Sequence, residues 1–302
     1  MTASKTLQDA PLPLHGIMNL GIVYLVWSST YLAMRILVAA DSGFTPFTAG
    51  ASRMLIASVI ILTIAYFRNS HIWPSRSEIP LIIATGILFW VTGNGMIMWA
   101  EKHALSGLAA LLASTTPIWA ALLESILSRR RLSWRLIGSL FFGLAGIAVL
   151  MGPSLASFNS TDISSYLALV CASISVAAAS VIQSRHAVHI STLVMSGWQH
   201  LFAGIVFVII TVFIGDPFPQ PSSNAVIALG YLIIFASVIA FTSYTITMKL
   251  LPINIVMTYA YVNPVLALVL GWWLLNEPIT SWTIGGAFMV LIAVVGVFWH
   301  RK

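Results

Sequence analysis

The chain has 302 residues, 59% of them hydrophobic and only 7% charged, with a mean hydropathy of +0.96 and a formal net charge of +6. A soluble domain carries about 25% charged residues, so most of this surface must face lipid, and a water-soluble globular protein is excluded. The lone cysteine, Cys171, excludes an internal disulfide and a cysteine-based metal site.

Residues 1–16 are short and polar and read as a cytoplasmic stub. The next segment is too long and too aromatic for a signal-peptide core, so a retained first span is expected. Ten apolar stretches then succeed one another, at about 17–39, 46–67, 79–100, 104–127, 134–152, 165–185, 192–214, 225–248, 253–275 and 281–299. A helix needs roughly 20 apolar residues to cross a 30 Å hydrocarbon core, whereas barrel strands are shorter and alternate. The predicted class is an all-α integral membrane protein with ten transmembrane helices.

Polar residues recur at mid-depth along these spans. Helix 1 holds "WSSTY" (27–31), helix 2 holds Arg53 in "ASRMLIAS", and helix 3 holds "TGNG" (92–95). Helix 4 has Pro117 in "ASTTPIWAAL". Helix 6 is rich in serine, with Ser173, Ser175 and Ser180, and helix 7 carries Gln199 and His200. Helix 8 holds "TSYTIT" around Tyr244, and helix 9 has Pro264 in "AYVNPVLALV".

Charge placement sets the orientation. With the N-terminus inside, only Lys102 of the 14 Lys and Arg falls in an outside loop, while Arg35 and Arg53 fall within spans. Every other basic residue, the run Arg129–Arg131 included, is on the cytoplasmic side, as the positive-inside rule requires. Both termini are therefore expected in the cytoplasm. The basic excess is a topology signal and not a nucleic-acid footprint.

Pro117 and Pro264 are 147 positions apart, and the same spacing separates Lys102 from Lys249 and Ser28 from Ser175. Trp134 and Trp282, each opening a helix, are 148 apart. Two copies of a five-helix unit are expected, at 17–152 and 165–300. Five is odd, so the copies enter the membrane from opposite sides, the inverted repeat typical of secondary transporters. Each proline removes one helical N–H and frees the carbonyl one turn earlier, at Ala113 and Ala260. Matched interruptions in two halves point to a substrate site near mid-membrane.

The expected cavity is mildly polar and aromatic, without a strong fixed charge. Its wall is assigned to Trp27, Ser29, Asn94, Thr115, Thr116, Ser175, Tyr244, Tyr261 and Asn263, with Tyr259 as a further stacking ring. Pro117 and Pro264 are the helix kinks. Arg53 and His200 are gate or structural charges, because ionisable groups within spans are functional candidates by default. No catalytic group, metal or cofactor is expected. The expected partners are a small-molecule substrate and the bilayer, with no nucleic acid and a single chain as the working unit.

The segments "VWSSTYLAMR", "ASRMLIAS", "TTPIWAALLESIL" and "NPVLALVLGWWLLNEPITSWTIGGAFMVLIAVVGV" resemble the drug/metabolite transporter superfamily, of the ten-helix EamA type, over roughly 17–300. The resemblance implies ten helices around a central cavity and export of amino acids or related metabolites across the bacterial inner membrane. It matches Trp27 to the family's helix 1 tryptophan, Arg53 to its helix 2 arginine and Glu277 to the acid at the helix 9–10 turn. It also puts Thr116 and Tyr261, beside the two prolines, on the cavity wall. One departure is "SRRR" (128–131), where the family carries a Gly-Glu pair. Two other readings stand beside amino-acid export: a multidrug or lipophilic-cation exporter, and a membrane-embedded enzyme acting on lipid-linked substrates.

Overall fold

Helix starts obey capping chemistry. Thr45, Ser133, Ser191 and Ser222 are N-caps whose hydroxyls accept from the backbone N–H three residues on, at 3.1, 3.2, 3.3 and 3.4 Å. Pro46, with no N–H to waste, sits just inside the first of these. In the computed structural model, residues 12–68, 70–100, 111–152, 163–275 and 279–299 are described, and their regular structure is entirely helical. The residues expected at the N-terminal stub up to 11, at Lys102, at the start of helix 4, in the linker 153–162 and at Glu277 lie outside the described residues.

The helices are α1 (Leu14–Leu37), α2 (Pro46–Phe67), α3 (Ile79–Ala100), α4 (Leu111–Ser128), α5 (Trp134–Leu150), α6 (Ile163–Arg185), α7 (Thr192–Ile214), α8 (Ser223–Leu250), α9 (Ile253–Val256 continuing as Tyr259–Leu275) and α10 (Ser281–Trp299). Eight are long and apolar enough to cross a membrane, while α5 and the apolar part of α9 are shorter. All ten predicted spans are helical over most of their described residues; α4 and α9 have two-residue breaks, and the first and fifth helices end at Leu37 and Leu150, ahead of the expected 39 and 152.

Two helix pairs run along each other most extensively, α2 with α7 and α5 with α10. Lipid supplies no hydrophobic drive between helices, so close approach through small residues does the work. A Cβ on Gly146 would stand 2.9 Å from Met289 Cβ, and one on Gly286 would meet the backbone oxygen of Gly146 at 2.7 Å. Around these pairs, α1 packs on α8 and α9, and α6 packs on α3 and α4.

Two features escape any reading by sequence pattern. The middle of α3, Ile87–Gly95, and the middle of α8, Leu232–Ala240, are π-helical. Such wide turns are rare and recur at functional sites.

The ends of the bundle are tied. At one end Ser222 N–H donates to Ser42 O (3.0 Å), Gln220 N–H to Gly43 O (3.2 Å) and the Thr45 hydroxyl to Asp216 (2.6 Å). At the other, Glu78, just ahead of α3, accepts from the Ser75 hydroxyl and N–H at 2.7 and 2.8 Å and from His189 N–H at 2.6 Å. The Ser75 hydroxyl is the main reason the Glu78 carboxyl is held at about 2; the backbone donors of Ser75, His189 and Ile190 reinforce it against the opposing effect of burial.

Candidate functional site

The two prolines act on the backbone as their chemistry requires, but not symmetrically. In α4 the helix breaks at Ser114–Thr115, and Pro117 falls in the first turn of the helix beyond the break. In α9 the break is at Met257–Thr258, and Pro264 lies inside the continuous helix after it. Both breaks are tightened into three-residue turns, with Thr115 N–H on Leu112 O and Tyr261 N–H on Thr258 O. The two freed carbonyls are satisfied by hydroxyls. Thr116 donates to Ala113 O at 2.7 Å, and Ser114 reaches across to Ala260 O at 3.0 Å.

Beside these breaks lies a cavity of about 70 Å³. It is walled by α1 (Trp27, Thr30, Met34), α2 (Arg53), α3 (Phe89, Trp90, Asn94, Ile97), α4 (Ala113, Thr116), α6 (Ser173, Val176) and α9 (Tyr259, Ala260, Asn263). That volume admits a few waters but is well short of the roughly 300–1,000 Å³ of a pocket holding a drug-sized ligand.

Trp27 anchors the aromatic wall. Its ring lies 4.9 Å from Tyr259, edge-on, and 5.1 Å from Tyr244, and its indole N–H donates to Ala236 O at 3.3 Å. Asn94 donates weakly to Phe89 O at 3.4 Å, and Asn263 keeps a buried amide oxygen with no partner.

The expectation of a cavity without a strong charge is corrected by Arg53. This residue is 2% exposed and lines the space. Its Nε–H donates to the Ser237 hydroxyl at 3.0 Å, and its guanidinium lies 5.1 Å from the Trp90 ring centre. Its Nη1 has no partner, and among the described residues no carboxylate lies within 4.0 Å of it. Ser237 belongs to the π segment of α8 and Trp90 to that of α3.

Of the residues assigned to the cavity by sequence, Trp27, Asn94, Thr116, Tyr259 and Asn263 line it, and Arg53 joins them. The others are used elsewhere. Tyr261 is fully buried, donates to Leu140 O at 2.8 Å and packs against Leu136 and Val290, pinning α9 to α5. Tyr244 stands behind Trp27, with its hydroxyl on Ser180. Thr115 donates to Leu112 O and accepts from the Trp119 indole.

Ser29 bonds Tyr231 in a groove on the outer side of α1 and α8, while its neighbour Thr30 faces the cavity. Ser175 is half-buried, and Ser173, two residues away on the helix, lines the space instead. His200 is fully buried, with Nδ1–H on Ser196 O at 2.8 Å and its ring 4.6 Å from Trp90, but it is not part of the cavity wall.

Thr30 and Ser173 stood among the polar groups at mid-depth without being assigned to the wall, and Phe89 and Trp90 were missed by sequence. Trp90 had a signal, standing one turn before Asn94 on the same face.

Two stretches, residues 14–152 and 163–299, each match the EamA-like transporter family. The chain is 31% identical over 292 residues to the uncharacterized inner membrane transporter YedA of Escherichia coli K12, covering 94% of this chain and 90% of that protein. It is 22% identical to an S-adenosylmethionine/S-adenosylhomocysteine transporter of Chlamydia muridarum, over 92% of this chain and 89% of that protein. A crystal structure shares the fold at a TM-score of 0.78 and 21% identity, covering 93% of this chain and 95% of that one.

Proposed function

Because the chain belongs to the EamA-like transporter family, we propose that it exports small amphipathic metabolites, neutral or aromatic amino acids foremost, across the bacterial inner membrane by alternating access. The observation that carries this reading is the small cavity where α1, α3, α4, α6 and α9 meet, with rings from Trp27, Phe89 and Tyr259 beside the amides of Asn94 and Asn263. Aromatic faces suit an apolar side chain, and amides suit an amino or carboxylate group.

The packing supports an inverted relation between halves, since equivalent helices pair (α2 with α7, α5 with α10) and α1 packs on α8 and α9 as α6 packs on α3 and α4. Exchange of the halves' conformations then opens either mouth in turn. The S-adenosylmethionine named for the chlamydial relative is itself an amino-acid derivative, which fits the substrate class. The basic loops favour cytoplasmic termini.

The test is counterflow in proteoliposomes with a panel of labelled amino acids, with and without a pH gradient. Accumulation of a neutral or aromatic member supports the reading. Failure of every member to move overturns it.

A further inference from the structure

We propose that the Arg53 guanidinium is the receptor for the carboxylate of the transported solute, so that the site takes carboxylates bearing an apolar or aromatic group and refuses the corresponding amines. This rests on the transport reading above and specifies what the cavity recognises.

A guanidinium carries five N–H donors and keeps its charge. In Arg53 one donor is spent on Ser237, one ring face is provided by Trp90, and Nη1 has no partner. No carboxylate of the described residues neutralises it, and the residue is 2% exposed. A buried cation without a counter-ion is strongly destabilised. His200, beside Trp90, offers only a neutral or a positive ring. A solute carboxylate supplies the counter-charge that the described residues lack, and the planar fork matches it bidentately.

The rest of the wall fits the remainder of such a molecule. The unpartnered Asn263 amide oxygen is a ready acceptor for an ammonium or amide N–H, and Trp27, Phe89 and Tyr259 offer faces to an apolar group. Ser237 and Trp90 hold the guanidinium from two different helices, so its direction is set before the solute arrives. A lipophilic cation would meet this charge with no acid among the described lining residues to offset it.

An inorganic anion offers the same chemistry to Arg53, so the experiment separates the two sources. Counterflow of labelled phenylalanine in proteoliposomes is competed with unlabelled phenylalanine, 3-phenylpropionate, phenethylamine and phenylalaninamide. Thermal protection of the detergent-solubilised protein is measured with the same compounds and with chloride alone.

The expected result is competition and protection by both carboxylates, at least 30-fold weaker action by the amine and the amide, and loss of that discrimination in Arg53→Gln with partial retention in Arg53→Lys. Equal competition by phenethylamine overturns the carboxylate assignment while transport stands. Protection by chloride with none by the carboxylates also overturns it, leaving a resident inorganic anion. If no compound is transported or bound, the transport reading itself falls and takes the proposal with it. The ligand panel is run on the unaltered chain, so it decides the matter even if Arg53→Gln does not fold.

Discussion

The Ser114 hydroxyl donates to the Ala260 carbonyl at 3.0 Å, joining the two proline-bearing helices through the backbone oxygen that Pro264 releases. An interhelical hydrogen bond of this kind is worth about 0.6 kcal/mol on average and up to about 1.7 in membrane proteins. Ser114→Ala is expected to cost an amount in that range. In a Pro264→Ala background, residue 264 regains an N–H for Ala260 O, so the serine substitution loses most of its effect. A double-mutant cycle by thermal unfolding in detergent measures the coupling, and strictly additive costs would refute it.

Tyr261 and Asn263 are neighbours in "AYVNPVLALV" with different duties. Tyr261→Phe removes the bond to Leu140 O and is expected to lower stability by about 1 kcal/mol, with the KM for transport unchanged. Asn263→Ala alters the cavity wall and is expected to raise KM several-fold at near-unchanged stability. KM and melting temperature, measured on both variants, check the division.

Gly285 and Gly286 form a matched test of helix packing. A Cβ at Gly286 meets the Gly146 backbone oxygen at 2.7 Å, and backbone cannot step aside, whereas nothing lies within 4 Å of a Cβ at Gly285. Gly286→Ala is expected to destabilise by about 1–3 kcal/mol. Gly285→Ala is expected to be neutral or to gain up to about 1 kcal/mol from helix propensity. Melting curves of the two variants in one detergent decide this.

Glu78 gives the bundle a pH dependence. Its carboxyl sits at about 2 in the folded chain, principally through the Ser75 hydroxyl, below the roughly 4.3 of a free glutamate. The stabilisation it contributes is therefore complete above the unfolded value and is lost as pH falls from there through about 2. Melting temperature measured between pH 6 and 3 should decline at the acid end more steeply for the unaltered chain than for Glu78→Gln. Parallel curves would refute the assignment.

The spans were legible because lipid demands long apolar helices, and the carbonyls at Ala113 and Ala260 because proline chemistry is local. Which side of a helix looks inward was far less legible. A helix between lipid and protein is apolar all round, so Ser29 and Thr30, or Ser173 and Ser175, carry no periodicity to choose between them. The π segments were invisible for the same reason, since a uniformly apolar run reads alike at 3.6 residues per turn and at a wider pitch. Arg53 stood out as a buried charge, but its neighbours Ser237 and Trp90 come from distant helices. Tyr261 misled because proximity to a proline says nothing of the direction of its ring.

The fastenings at Ser42–Ser222 and Thr45–Asp216 and those of Glu78 with His189 are closed at the same time, at opposite ends of α7. A strut bolted at both ends cannot swing like a door. While these bonds persist, widening of either mouth has to come from the helices outside this frame.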